Sequence, residues 1–194
     1  MNETPLSLLN RAARGVDSES WNRLVELYAP LLKLWLARYQ IQDADSQDLI
    51  QEVLMVVSRE LPSFEHNEYT GAFRSWLRMI LVNRLRGFWR ARQYRPVATG
   101  DSDFKQQLDE LADETSEISH LWDLQHDEYV MRQLIKSVQT KIAASTWKAF
   151  CLQLFDGASA GETAKELGIS VDSAYAAKSR VLRMLRQEAC GLID

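Results

Sequence analysis

The spacing of apolar residues constrains this chain most: they recur at intervals of three and four almost throughout, and no β-branched run of any length alternates with polar residues. Such spacing gathers apolar side chains on one face of a helix, whereas a half-buried strand needs alternation, so the pattern predicts an all-α fold. Glycine and proline are scarce, at 8 and 4 in 194 residues, so little interrupts the helices. A hydrophobic fraction of 46% is enough for a packed core and argues against disorder throughout.

Punctuation then divides the chain. Thr4-Pro5 predicts the start of a short helix that Gly15 ends. From Ser18 to about Tyr39, Trp21, Leu24, Val25, Leu27, Tyr28, Leu31, Leu32 and Trp35 form a broad stripe, with Pro30 marking a kink or a junction. Asp45 or Ser46 is expected to cap a third helix reaching about Glu60, with Leu49, Ile50, Val53, Leu54 and Val57 inward, Asp48, Gln51, Glu52 and Arg59 outward, and Pro62 as its stop.

The segment GAFRSWLRMILVNRLRGFWRARQYRP, residues 71–96, is expected to be a fourth helix or a broken pair. Phe73, Trp76, Leu77 and Ile80 share one face, and Arg74 and Arg78 lie well around from it. Beyond Asn83 arginines and apolar residues are interspersed, the pattern of a break or of a surface that meets a partner on two sides. Residues 96 to about 125, with Pro96, Gly100, many acids and few apolar residues, have a linker composition with transient helix near Leu108 and Leu111. Helices are expected near 127–142 and 146–155, the second ended by Asp156-Gly157.

Charge is segregated along the chain. The net charge is −4, yet residues 71–95 hold seven arginines and no acid, while residues 101–128 hold ten acids against Lys105 alone. A basic patch beside an acidic tether can serve nucleic acid despite the acidic average. Arginines neutralise phosphates and aromatics stack on unpaired bases, so this segment has the parts needed to hold single-stranded DNA. Trp89 fits either core packing or such a stacking platform.

The most specific local signal is SAGETAKELGISVDSAYAAKSRVLRMLRQE, residues 159–188. Ser159 and Glu162 form a capping box, Gly168 suits the left-handed position that ends a helix, and Ser170 caps the next one. Ala174, Val181 and Leu185 face inward, while Ser173, Tyr175, Ala176, Ser179 and Arg180 face outward. That is a helix-turn-helix whose second helix fits the major groove.

Catalysis finds no support. Asp45, Asp48 and Glu52 lie within two turns, but a second ligand cluster is missing, and His66, His120 and His126 are scattered. Cys151 and Cys190 have neither a CxxC nor a histidine partner pattern. The expectation is a protein that is not an enzyme and has no cofactor, metal or small-molecule substrate. The opening MNETPLSLLNRAARG has no basic segment leading into an apolar one, and apolar runs such as Val53–Val57 fall far short of a membrane span. A cytoplasmic protein without membrane insertion is expected.

Four segments, in order over nearly the whole chain, resemble the group IV or extracytoplasmic-function (ECF) bacterial sigma factors. LVELYAPLLKLWLARY (24–39) looks like the family's opening helix, and DADSQDLIQEVLMVVSRELPSF (43–64) is similar to its acidic helix followed by Leu-Pro-x-Phe. FRSWLRMILVNRLRGFWR (73–90) looks like its F-R-x-W-L segment, and the helix-turn-helix lies where the family has its own.

The resemblance implies two small helical domains joined by an acidic linker: region two at residues 1–95, the linker at 96–126 and region four at 127–194. Region two would bind core RNA polymerase through Asp45, Asp48, Gln51 and Glu52. It would hold the opened minus-ten element through Asn83, Arg84, Arg86, Trp89, Arg90 and Arg92. Region four would read the minus-thirty-five element through Ser170, Ser173, Tyr175, Ala176, Lys178, Ser179, Arg180 and Arg183. The linker would thread along the polymerase. Core RNA polymerase and promoter DNA are the implied partners, with an anti-sigma protein common in the family. Departures from the family are Tyr175-Ala176-Ala177 where it commonly has a basic, hydroxyl-rich run, and Gly87 where many relatives carry an acid. The competing reading is a free-standing helix-turn-helix regulator with a helical dimerisation or effector domain.

Overall fold

A computed structural model describes residues 8–14, 18–39, 41–64, 71–92 and 101–193, and among them the chain is all-α with no strand. The helices are α1 (Leu8–Ala13), α2 (Ser18–Leu36), α3 (Asp43–Glu60), α4 (Ala72–Arg92), α5 (Asp101–Ala112), α6 (Glu117–Thr140), α7 (Ala144–Leu154), α8 (Ala160–Leu167) and α9 (Val171–Ala189). Short 3₁₀ turns, Ala37–Tyr39 and Leu61–Ser63, follow α2 and α3. The expected start and stop of the first helix, Thr4-Pro5 and Gly15, lie outside the described residues.

Helices α2, α3 and α4 pack in sequence, as their three-and-four stripes require. Tyr28, Leu31, Leu32 and Trp35 of α2 meet Val53 and Val57 of α3 and Phe73, Leu77, Leu81 and Leu85 of α4 in one buried cluster. Pro30 sits inside α2, and α4 runs unbroken from Ala72 to Arg92, which settles the choice between one helix and a pair. The Leu-Pro-x-Phe and F-R-x-W segments converge: Phe64 lies 4.7 Å from Trp76 and 5.8 Å from Phe73, ring centre to ring centre. Tyr28 adds a third edge, 5.3 Å from Phe73.

Helix α3 begins earlier than expected. Its cap position is Gln42, which makes no side-chain cap bond, and Ser46 is buried inside the helix with its N–H on the Gln42 carbonyl at 2.8 Å. Asp43 and Asp45 occupy the first turn, where the positive end of the helix dipole favours them.

The acidic stretch departs most from expectation. Phe104, Leu108 and Leu111 recur at four and three and are all buried, so α5 packs on α4 instead of fluctuating. After a turn in which Asp113 accepts a 2.9 Å bond from the Thr115 N–H, Ser116 caps α6 by accepting from the Ser119 N–H at 3.0 Å. Helix α6 therefore starts at Glu117, about ten residues before its expected start.

After Ser119, near its start, the buried residues of α6 are Trp122, His126, Val130, Leu134 and Val138, spaced by four. At 100° per residue each step advances about 40°, so the stripe turns about 160° around the helix. One helix can thereby serve two neighbours. Its first half fits α2 and α4: Trp122, with no exposed surface, lies 4.9 Å from Trp35 and donates its indole N–H to the Arg74 carbonyl at 3.2 Å. His126 Nε2 lies 3.1 Å from the Tyr28 hydroxyl, and its Nδ1 lies 2.9 Å from Asp127. Burial, and secondarily the Asp127 charge, pushes the Tyr28 hydroxyl pKa well up, so it stays protonated.

Helices α7, α8 and α9 pack on one another, and α9 also meets α6. Ser159 and Glu162 complete the capping box, Gly168 has φ 65°, and Ser170 accepts from the Ser173 N–H. Gln153 donates to the carbonyls of Ala149 and Ala174, both at 2.9 Å, which ties α7 to the start of α9. Glu188 of α9 reaches across to Lys141 at 2.7 Å, Arg23 at 3.7 Å and Arg11 at 3.9 Å. No helix is long and apolar enough to cross a membrane among the described residues.

Candidate nucleic-acid interface

Helix α4 divides its arginines between two tasks. In the first half Phe73, Leu77 and Ile80 are buried, and Arg74 and Arg78 lie off that face, but acids of the following segment cover them. Arg74 donates from Nη1 to Asp127 at 2.8 Å, with its Nε 3.4 Å from Asp123. Arg78 is only 1% exposed, with a nitrogen 3.8 Å from Asp123 and another 3.7 Å from Glu114. These two cations hold the acidic segment in place. Their partners went unrecognised because the acids read as a solvated tether.

In the second half Asn83, Arg86 and Arg90 recur at three and four and so share one outer face above buried Leu85. Asn83 and Arg90 are exposed. Arg84 turns toward α3, its guanidinium 3.9 Å from Glu52. Arg90 Nε donates to the Arg86 carbonyl at 3.3 Å, so the arginine lies along its own helix. Arg86 Nη2 donates to Asp109 of α5 at 2.8 Å, with both side chains well exposed. Arg92 ends α4, and its side chain lies outside the described part.

Trp89 is half-buried, its ring stacked on Phe104 of α5 with centres 4.0 Å apart and planes 16° from parallel. Tyr39 meets the same Phe104 edge-on at 5.5 Å. Phe104 and Asp109 are the residues that sequence reasoning missed here. The four-and-three spacing from Phe104 through Leu111 was the signal for Phe104, masked by the surrounding acids.

On α3 Asp48, Gln51 and Glu52 are exposed along one face, with Asp45 half-buried at its start. Met55 extends this face by three residues and is 64% exposed, an apolar group at the edge of an acidic strip. On α9 Ser170, Ser173, Tyr175, Ala176, Ser179, Arg180 and Arg183 are exposed, and Lys178 is half-buried. The Ser170 and Ser173 hydroxyls lie 2.8 Å apart, and Tyr175 is 59% exposed. Among the described residues no group of three or more His, Cys, Asp or Glu side chains could hold a metal ion.

Residues 24–95 match the family model of sigma-70 region 2. The span starts in α2 and includes α3 and α4, hence the aromatic cluster, the α3 strip and the arginine stripe. The chain is also similar to an RNA polymerase sigma factor, NccH, of Alcaligenes xylosoxydans xylosoxydans, at 27% identity over 179 residues, which cover 91% of this chain and 88% of that protein. With a sigma-70 region 2 that runs from within α2 through α4, and a likeness to a sigma factor over nearly its whole length, the chain resembles the RNA polymerase sigma factors.

Proposed function

We propose that this chain acts as a sigma factor, directing transcription initiation by binding core RNA polymerase through α3 and the opened minus-ten strand through the second half of α4, while α9 reads the minus-thirty-five element. The observation that carries the reading is the outward stripe of Asn83, Arg86 and Arg90 with Trp89 beside it, inside the matched region 2. Cations for phosphates and a flat ring for a base are what an unpaired strand requires.

In this reading residues 1–95 form the polymerase and minus-ten unit, 127–194 the minus-thirty-five unit, and 96–126 the segment between them. Asp45, Asp48, Gln51 and Glu52 meet the polymerase, with Met55 as an apolar contact at their edge. Glu52 also touches Arg84, so polymerase docking on α3 can be felt at the DNA face of α4. Ser170, Ser173, Tyr175, Ala176, Lys178, Ser179, Arg180 and Arg183 contact the duplex. The few cations at the head of α9 make region four the weaker source of phosphate affinity.

The length of 194 residues fits the ECF group. The protein acts in the cytoplasm as a dissociable specificity subunit and catalyses nothing itself. An anti-sigma protein would cover the α3 strip. The region 2 match disfavours a free-standing regulator, which needs no strand-binding segment. The test is transcription by core polymerase with and without this chain on a promoter library. Starts that depend on the chain support the reading, and tight duplex binding by the chain alone contradicts it.

A further inference from the structure

We propose that α5 is a built-in competitor for the strand-binding face of α4: Phe104 occupies the ring of Trp89 as a base would, and Asp109 occupies Arg86 as a phosphate would. The proposal rests on the strand-binding reading above. Its geometry is that of the ligand it displaces. The Phe104 ring lies flat on Trp89 at 4.0 Å, a stacking distance, and a single carboxylate oxygen takes an arginine N–H at 2.8 Å.

The two mimicking groups sit on one helix five residues apart, so they arrive and leave together. The ion pair is not locked. Arg86 and Asp109 are 38% and 55% exposed, and an exposed pair is weak and screened by salt. A groove of about 360 Å³ opens at this junction, with Arg90 and Lys105 lining it, which gives a strand a cationic foothold beside the occupied ring.

The hold of α5 comes instead from its apolar side. Phe104 is held from behind by Tyr39, and Leu108 and Leu111 are buried. A strand that claims Trp89 must therefore displace Phe104 from a packed site. In the free protein this lowers apparent affinity by the fraction of molecules in which α5 is displaced. Anything that draws α5 away, polymerase included, uncovers the face.

The experiment measures binding of a short fluorescent single-stranded DNA to the full chain by anisotropy. Four variants are compared: Phe104→Ala, Asp109→Asn, Arg86→Ala, and Gln106→Lys, which makes the same charge change as Asp109→Asn on an exposed position of α5. Phe104→Ala is expected to tighten binding on the order of tenfold and Asp109→Asn several-fold, with Gln106→Lys within about twofold of the parent. Asp109 is exposed, so its variant keeps the test decisive should Phe104→Ala fail to fold. If both α5 variants bind like the parent while Arg86→Ala weakens binding, the competition is overturned and strand binding stands. If Arg86→Ala also initiates normally with core polymerase, strand binding itself fails and the competition with it.

Discussion

Arg78 of α4 is buried with a guanidinium nitrogen 3.8 Å from Asp123 of α6, and this pair explains why an acidic segment folds against an arginine-rich helix. A cation taken out of water needs a partner, and Asp123 is the less exposed of its two. Asp123→Ala is expected to lower stability by about 3 kcal/mol, because it leaves the buried charge poorly compensated. Glu114→Ala, at an exposed carboxylate, should cost less than about 1 kcal/mol. Urea unfolding of both variants measures the difference, and equal losses would show that Asp123 does not hold Arg78.

Trp122 carries the other half of this attachment. Its ring packs on Trp35 and its N–H reaches the Arg74 carbonyl, so this side chain fastens α6 to both α2 and α4. Trp122→Ala should cost about 4 kcal/mol. Trp122→Phe keeps the packing and loses the hydrogen bond, so a loss of about 1 to 2 kcal/mol is expected. Thermal melting followed by circular dichroism distinguishes the two.

Glu188 makes stability depend on pH. Burial raises its pKa, but the Lys141 hydrogen bond and charge, with Arg23 and Arg11, outweigh this and leave the carboxyl below its ordinary value of 4.5. The folded state therefore binds this proton less readily than the unfolded chain. The stabilisation is fully present above the unfolded pKa and is lost as pH falls through the lowered folded value. Wild-type stability should drop more steeply below about pH 4.5 than that of Glu188→Gln, which has no charge to lose. Parallel slopes in pH-dependent urea titrations would remove Glu188 from that role.

Two glycines should respond with opposite sign although a Cβ would meet nothing within 4 Å at either. Gly87 lies inside α4, where alanine stabilises by about 1 kcal/mol. Gly168 ends α8 at φ 65°, where a side chain costs about 1 kcal/mol. Melting temperatures of Gly87→Ala and Gly168→Ala should move up and down respectively.

The caps of α8 and α9 were legible residue by residue because their signals are local: Ser159, Glu162, Gly168 and Ser170 each act within a few positions of themselves. The stripes of α2 to α4 were legible for a similar reason, since period alone marks a buried face. Arg78, Asp123, Phe104 and Trp89 were not, because their roles depend on partners 15 or more residues away. Ten acids in 28 residues have the composition of a tether, yet three apolar residues at helical spacing and two arginines requiring counter-charges were enough to fold that stretch. The start of α6 was hidden in the same way, by a serine cap set among carboxylates.

The most direct measurement of whether this chain opens promoters with the second half of α4 is transcription by core polymerase on matched duplex and premelted templates. Arg84→Ala/Arg86→Ala/Arg90→Ala should initiate on the order of tenfold less than wild type on duplex DNA and recover only in part on the premelted template, where the strand need not be opened but must still be held. Equal initiation by variant and wild type on duplex DNA would contradict a strand-holding role for these arginines.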